Sequence, residues 1–227
     1  MAEQLEGWLH HTRNYLDYQV RQGFAEILLP VRSLESECHK DLETIRVQLG
    51  ECTRCLLSQT RTRIVFGEGN PEAMLMFIGE GPGAEEDSEG RPFVGKAGRL
   101  LSRMIKAMGL DRSQVYIANI VKCRPPENRD PHPVEIDTCF PFLVAQIESV
   151  RPQIIVALGR IATGVLLRTK EPIGKLRGAF HNWKGIAVMP TYHPSFLLRQ
   201  EVDRRYKALA WADLKKVMGL LDLPVSS

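Results

Sequence analysis

The stretch from Phe77 to Leu101 constrains the fold more than any other part of the chain. It reads Phe-Ile-Gly-Glu-Gly-Pro-Gly-Ala-Glu-Glu-Asp-Ser-Glu-Gly-Arg-Pro-Phe-Val-Gly-Lys-Ala-Gly-Arg-Leu-Leu. The apolar run over 74–78 predicts a buried strand, which stops at Gly79-Glu80-Gly81-Pro82-Gly83. Neither a helix nor a central strand tolerates that density of Gly and Pro, so these residues form a tight loop at a strand end. Over 96–108 helical spacing returns through Leu100, Leu101, Met104, Ile105 and Met108. Ligands of open α/β sheets bind outside the carboxyl ends of the strands, which makes Glu80 a candidate site residue. The loop matches neither phosphate motif: the third Gly of Gly-x-Gly-x-x-Gly is missing, and no Gly-Lys-Ser/Thr follows.

Three further strands are predicted. The run over 115–119 ends on Asn119 and enters a polar, Pro-rich loop. If the sheet is parallel, Asn119 lies level with Glu80. Its amide offers a donor and an acceptor in fixed geometry, which suits the edge of a nucleobase. A third strand covers 154–159, followed by a helix to about residue 167. A fourth covers 186–190 and leads into Thr191-Tyr192-His193-Pro194-Ser195, which places His193 at another strand end. Helices are expected over 133–150 and 203–221. Residues 1–46 read as a helical extension, interrupted at Pro30, with a second helix over 33–49. His10 and His11 read as solvated, and Cys38 as a small buried hydrophobe.

The chain has 227 residues, enough for one substantial α/β domain, and a formal net charge of +3 that permits a nucleic-acid partner without demanding one. No apolar run reaches the roughly 20 residues of a membrane span. The first residues lack the pattern of a signal peptide, and the five cysteines are odd in number. A reducing compartment, by default the cytoplasm, is therefore expected, with thiols available to a metal. Cys52-Thr-Arg-Cys55 presents two of them within one turn, and Cys123 and Cys139 can complete a tetrathiolate site. Spacing alone leaves zinc and an iron–sulfur cluster both open.

Together these blocks resemble the family 4 (iron–sulfur) uracil-DNA glycosylases. The first block comprises Gly79 to Gly83, Glu86-Asp87, Gly90 to Gly95 and Ala97-Gly98. The others are Asn119 with Lys122 to Pro126, Lys175 to Gly178, and Thr191 to Ser195. The match covers about 50–218, giving a helical extension over 1–46 and a glycosylase-like domain over 47–227. It implies an α/β three-layer sandwich around a mainly parallel four-stranded sheet. It further implies a monomer that flips uracil from single- or double-stranded DNA and hydrolyses its N-glycosidic bond. A [4Fe–4S] cluster would be held by Cys52, Cys55, Cys123 and Cys139. Phe93 would stack on the base, Gly81 and Asn119 would read it, and Glu80 and His193 would be catalytic. Lys175, Arg177, Ser195, Leu197 and Arg199 would meet DNA, with Leu197 as an apolar wedge. A cross-linking relative carries a basic, His-containing insertion where this chain has only Glu127 to Pro131. Better-known uracil glycosylases place an Asp directly after the Glu80 position, where this chain has Gly81. That leaves Glu86, Asp87 and Glu80 as alternatives for positioning water, or as helix caps. A second class, a DNA- or protein-binding module without turnover, predicts loss of one of Glu80, Phe93, Asn119 or His193. All four are present.

Overall fold

The computed structural model describes residues 41–199 and 204–224. The expected helices over 1–40, with His10, His11 and Cys38, lie outside them. Helix α1 (Leu42–Leu49) is capped by Asp41, whose carboxylate accepts the Thr44 N–H. It buries Ile45 and Leu49 beside Phe66. The boundary drawn after residue 46 thus falls inside one helix.

The strands are β1 (Glu68–Gly69), β2 (Leu75–Gly79), β3 (Tyr116–Asn119), β4 (Ile154–Leu158), β5 (His181–Trp183) and β6 (Ile186–Thr191). They form a six-stranded sheet in the order β1-β3-β2-β4-β6-β5. The inner four, β3-β2-β4-β6, are parallel, as the family resemblance implies. A short antiparallel strand is added at each edge, β1 on β3 and β5 on β6. Segments of two and three residues carry too little apolar pattern to be read from sequence.

The helices after α1 are α2 (Ala84–Glu89), α3 (Lys96–Ala107), α4 (Pro133–Val150), α5 (Gly159–Leu167), α6 (Ile173–Leu176), α7 (Pro194–Leu197) and α8 (Arg204–Leu220). Strand side chains alternate between two faces. Met76 and Ile78 of β2 pack with Leu143 and Ile147 of α4 and Ala162 of α5. Leu75 and Phe77 pack on the other face with Leu101 and Ile105 of α3 and Leu214 and Val217 of α8. Both faces are buried, which gives the three layers and explains the unbroken apolar runs of the inner strands.

Candidate active site

The parallel register brings the predicted residues to one rim. Gly79 pairs opposite Asn119, and Leu158 opposite Thr191. Glu80, Asn119, Gly159 and His193 therefore leave the sheet on the same side. They border a cavity of about 370 Å³ whose lining also includes Gly81, Phe93, Arg160, Ser195 and Arg199.

Glycine at 79 is required by close approach. A Cβ there would lie 2.5 Å from both Asn119 Oδ1 and Phe93 Cζ. Asn119 is 1% exposed, and its Oδ1 is buried with no hydrogen-bond partner among the described residues. A buried acceptor without a partner costs about 1–3 kcal/mol. Phe93 has φ +52, a strained region for an aromatic residue. Its surroundings fix it there. Arg112 donates to the carbonyls of Phe93 and Pro92. Glu86 Oε1 accepts the N–H groups of Val94 and Gly95, both at 2.9 Å. The Phe93 ring lies 5.6 Å from that of His193.

His193 precedes the first turn of α7. Its Nδ1 accepts the Ser195 N–H at 3.1 Å and lies 2.8 Å from Ser195 Oγ. With Nδ1 an acceptor, the proton of the neutral ring sits on Nε2. Burial pushes the His193 pKa down to about 4, so the ring is neutral near pH 7. Burial also pushes the Glu80 carboxyl up to about 7; Asp130 adds to this and Arg160 opposes it. No hydrogen bond or ion pair among the described residues engages that carboxylate. Asp130 and Arg160 pair with each other at 2.5 Å.

Several expected residues are engaged elsewhere. Asp87 is buried away from the cavity, accepting the N–H groups of Thr62 and Arg63, so it cannot face a water there. Glu86 reaches the cavity edge, but both its oxygens hold backbone N–H groups, Oε2 that of Gly83. It organises the loop. Leu197 is 2% exposed and packs inward, whereas its neighbour Leu198 is 40% exposed. One turn of helix decides which leucine is free, and the sequence does not show its phase. Arg177 donates from Nε and Nη2 to both oxygens of the fully buried Asp213, and from Nη2 to the Leu209 carbonyl, which commits that edge of its guanidinium to the frame. Lys175 is exposed, pairs with Glu171 at 3.1 Å and lies outside the cavity lining. The sequence reading missed Arg160 and Asp130. Gly159-Arg160 follows a strand end, so the rule that selected Glu80 had also pointed there.

The four cysteines are free. Cys123 and Cys139 are buried, Cys52 and Cys55 half-buried, and the sulfurs lie near enough to affect one another's ionisation. Donors converge on them. Arg61 Nη1 reaches Cys123 Sγ at 3.4 Å and the Cys52 carbonyl at 2.6 Å, and the Lys122 N–H reaches Cys139 Sγ at 3.3 Å. This donor set fits thiolate ligands. Among the described residues no three Cys, His, Asp or Glu side chains form a group suited to a single metal ion.

Comparison with known proteins identifies the family. The model of the uracil DNA glycosylase superfamily matches residues 66–215. A type-4 uracil-DNA glycosylase of Saccharolobus solfataricus is 50% identical over 167 residues, covering 70% of this chain and 77% of that one. The type-4 enzyme of Thermotoga maritima is 44% identical, covering 79% of this chain and 94% of its own. That of Archaeoglobus fulgidus is 40% identical, covering 81% and 98%. The chain belongs to the uracil-DNA glycosylase superfamily and, within it, to the type-4 family.

Proposed function

We propose that this protein excises uracil from DNA by hydrolysing the N-glycosidic bond, the opening step of base excision repair. The observation that carries the reading is the buried, unpartnered Asn119 oxygen beside Phe93 and His193. A base inside the duplex stack is out of reach, so it is flipped into the cavity. Phe93 stacks on the ring. Asn119 accepts from the uracil ring N–H and donates to the adjacent carbonyl, while backbone at Gly81 borders the base. Cytosine reverses both groups and would meet acceptor against acceptor.

As the bond from C1′ to the base breaks, negative charge gathers on uracil. His193, neutral and protonated on Nε2, donates to a uracil carbonyl, and this bond strengthens as charge develops. The sugar becomes oxocarbenium-like. Glu80 in its ionised form stabilises it and orients the attacking water, which adds to C1′ and passes a proton to that carboxylate as the uracil anion leaves. Of the alternatives for that role, Glu80 alone has a carboxylate not already engaged by backbone. Ser195 and Arg199 at the rim contact DNA, and Leu198 takes the wedge role first given to Leu197. The cysteines at 52, 55, 123 and 139 would hold a [4Fe–4S] cluster, which would tie the segment before β1 to the loop after β3 and to α4. We assign the protein to the cytoplasm as a monomer.

The test is purified, iron-replete protein on a uracil-containing oligonucleotide, followed by alkali. Strand scission at uracil and nowhere else is expected, and an intact strand refutes the assignment.

A further inference from the structure

Lys122 is 0% exposed. Its ammonium donates to the Asn119 carbonyl at 2.9 Å and to Gln146 Oε1 at 2.5 Å. The other end of that amide is also committed: Gln146 Nε2 donates to the Phe66 carbonyl at 3.0 Å and lies 3.3 Å from the Tyr116 hydroxyl. The amide orientation is therefore determined, with its oxygen toward the cation. No carboxylate among the described residues pairs with Lys122. A fully buried cation facing only a carbonyl and an amide is costly unless a counter-charge lies near. Lys122 also adjoins the thiols: it precedes Cys123 in sequence, and its backbone N–H donates to Cys139 Sγ at 3.3 Å.

We propose that Lys122 is a positioning residue linking the thiol site to base recognition. Its charge balances the four-cysteine cluster, and its ammonium clamps the end of β3 that aims Asn119 into the cavity. The inference rests on the cluster reading made above. Four thiolates around a [4Fe–4S]²⁺ core leave a net charge of −2, which a buried cation offsets. Hydrogen bonds and net charge near the sulfurs are the protein's means of tuning such clusters. Arg61 acts on the exposed side, through Cys123 and the Cys52 carbonyl. Of these two cations, Lys122 also touches the strand that carries Asn119.

Two variants separate its two ends. Lys122→Met keeps length and removes both charge and donor. Gln146→Glu is close to isosteric; it places a carboxylate against the ammonium, cancelling its charge, and gives up the donor to the Phe66 carbonyl, while the bond from Lys122 to the Asn119 carbonyl stays. Three measurements apply, none of which requires turnover: the lifetime of the cluster in excess chelator under anaerobic conditions, its reduction potential, and equilibrium binding of oligonucleotides carrying 2′-fluoro-deoxyuridine or 2′-fluoro-deoxycytidine. Lys122→Met should shorten cluster lifetime by roughly tenfold, lower the potential and cut the uracil-over-cytosine binding ratio by about tenfold. Gln146→Glu should reproduce the first two effects and keep the binding ratio. A general loss of packing would move all three together in both variants and would overturn the inference. Wild-type lifetime, potential and ratio in Lys122→Met would overturn it too. If Lys122→Met does not fold, Gln146→Glu decides alone: an unchanged potential refutes the charge balance. Wild-type protein without iron would instead fail the cluster reading itself, and the link with it.

Discussion

Asn119 and Gln146 are both buried amides, and the protein treats them in opposite ways. Gln146 uses both ends of its amide, on Lys122, Phe66 and Tyr116. Asn119 keeps its side-chain oxygen buried and unpartnered at the cavity. The carboxylates divide likewise. Asp87, Glu86 and Asp213 are all held, by backbone N–H groups or by Arg177 and Thr191. Glu80 has burial and a nearby Asp130 instead. Satisfied groups stabilise the frame. The unsatisfied ones are a cost the fold carries at the site, where a ligand can supply the missing partners.

The sharpest way to break this contrast is His193→Ala. Losing one donor to a developing anion costs on the order of 100- to 1000-fold in rate. Single-turnover excision should fall by that factor while product-DNA binding stays nearly unchanged. A parallel loss of affinity would make His193 a binding residue. Asn119→Asp should abolish uracil excision, with weak activity on cytosine as the accompanying gain, because the acid form can donate to the cytosine ring nitrogen. Matched single strands containing either base read this directly, and retained uracil activity would move recognition to the backbone near Gly81.

On the satisfied side, Arg177→Met leaves Asp213 fully buried and without its cation. Breaking a buried pair in this way costs about 3–5 kcal/mol. Chemical denaturation should show the loss, with the rate of the remaining folded enzyme little altered. A stable Arg177→Met with poor DNA affinity would restore Arg177 as a phosphate contact.

The pH profile tests Glu80 more gently. A carboxyl raised to about 7 is protonated below that value, so excision by its ionised form rises as pH increases through 7. Asp130→Asn removes a charge that raises Glu80, so the midpoint should move down. Arg160→Gln removes one that lowers it, so the midpoint should move up. Movement in the same direction in both variants would exclude Glu80 as the titrating group. The smallest effect is expected at Lys175→Ala, because an exposed pair such as Lys175–Glu171 contributes about 1 kcal/mol or less, and DNA binding should barely change.

Apolar runs and a Gly-Pro loop were enough to place the four inner strands, most of the helices, and Glu80, Asn119 and His193 at strand ends. Burial on both faces leaves a local signature in sequence, and a strand end is local by definition. The edge strands left none, since two or three residues paired at a margin need no pattern of their own. Nor could sequence show which acidic or basic side chains were already engaged. Asp87 meets Thr62 and Arg177 meets Asp213 only after the chain has folded. Leu197 and Leu198 are chemically identical, and a single turn of α7 turns the first inward and the second out. Residue type and local order determined what could stand at the rim. Tertiary contacts decided which of those groups remained unpaired, because hydrogen-bond satisfaction depends on neighbours that are distant in sequence.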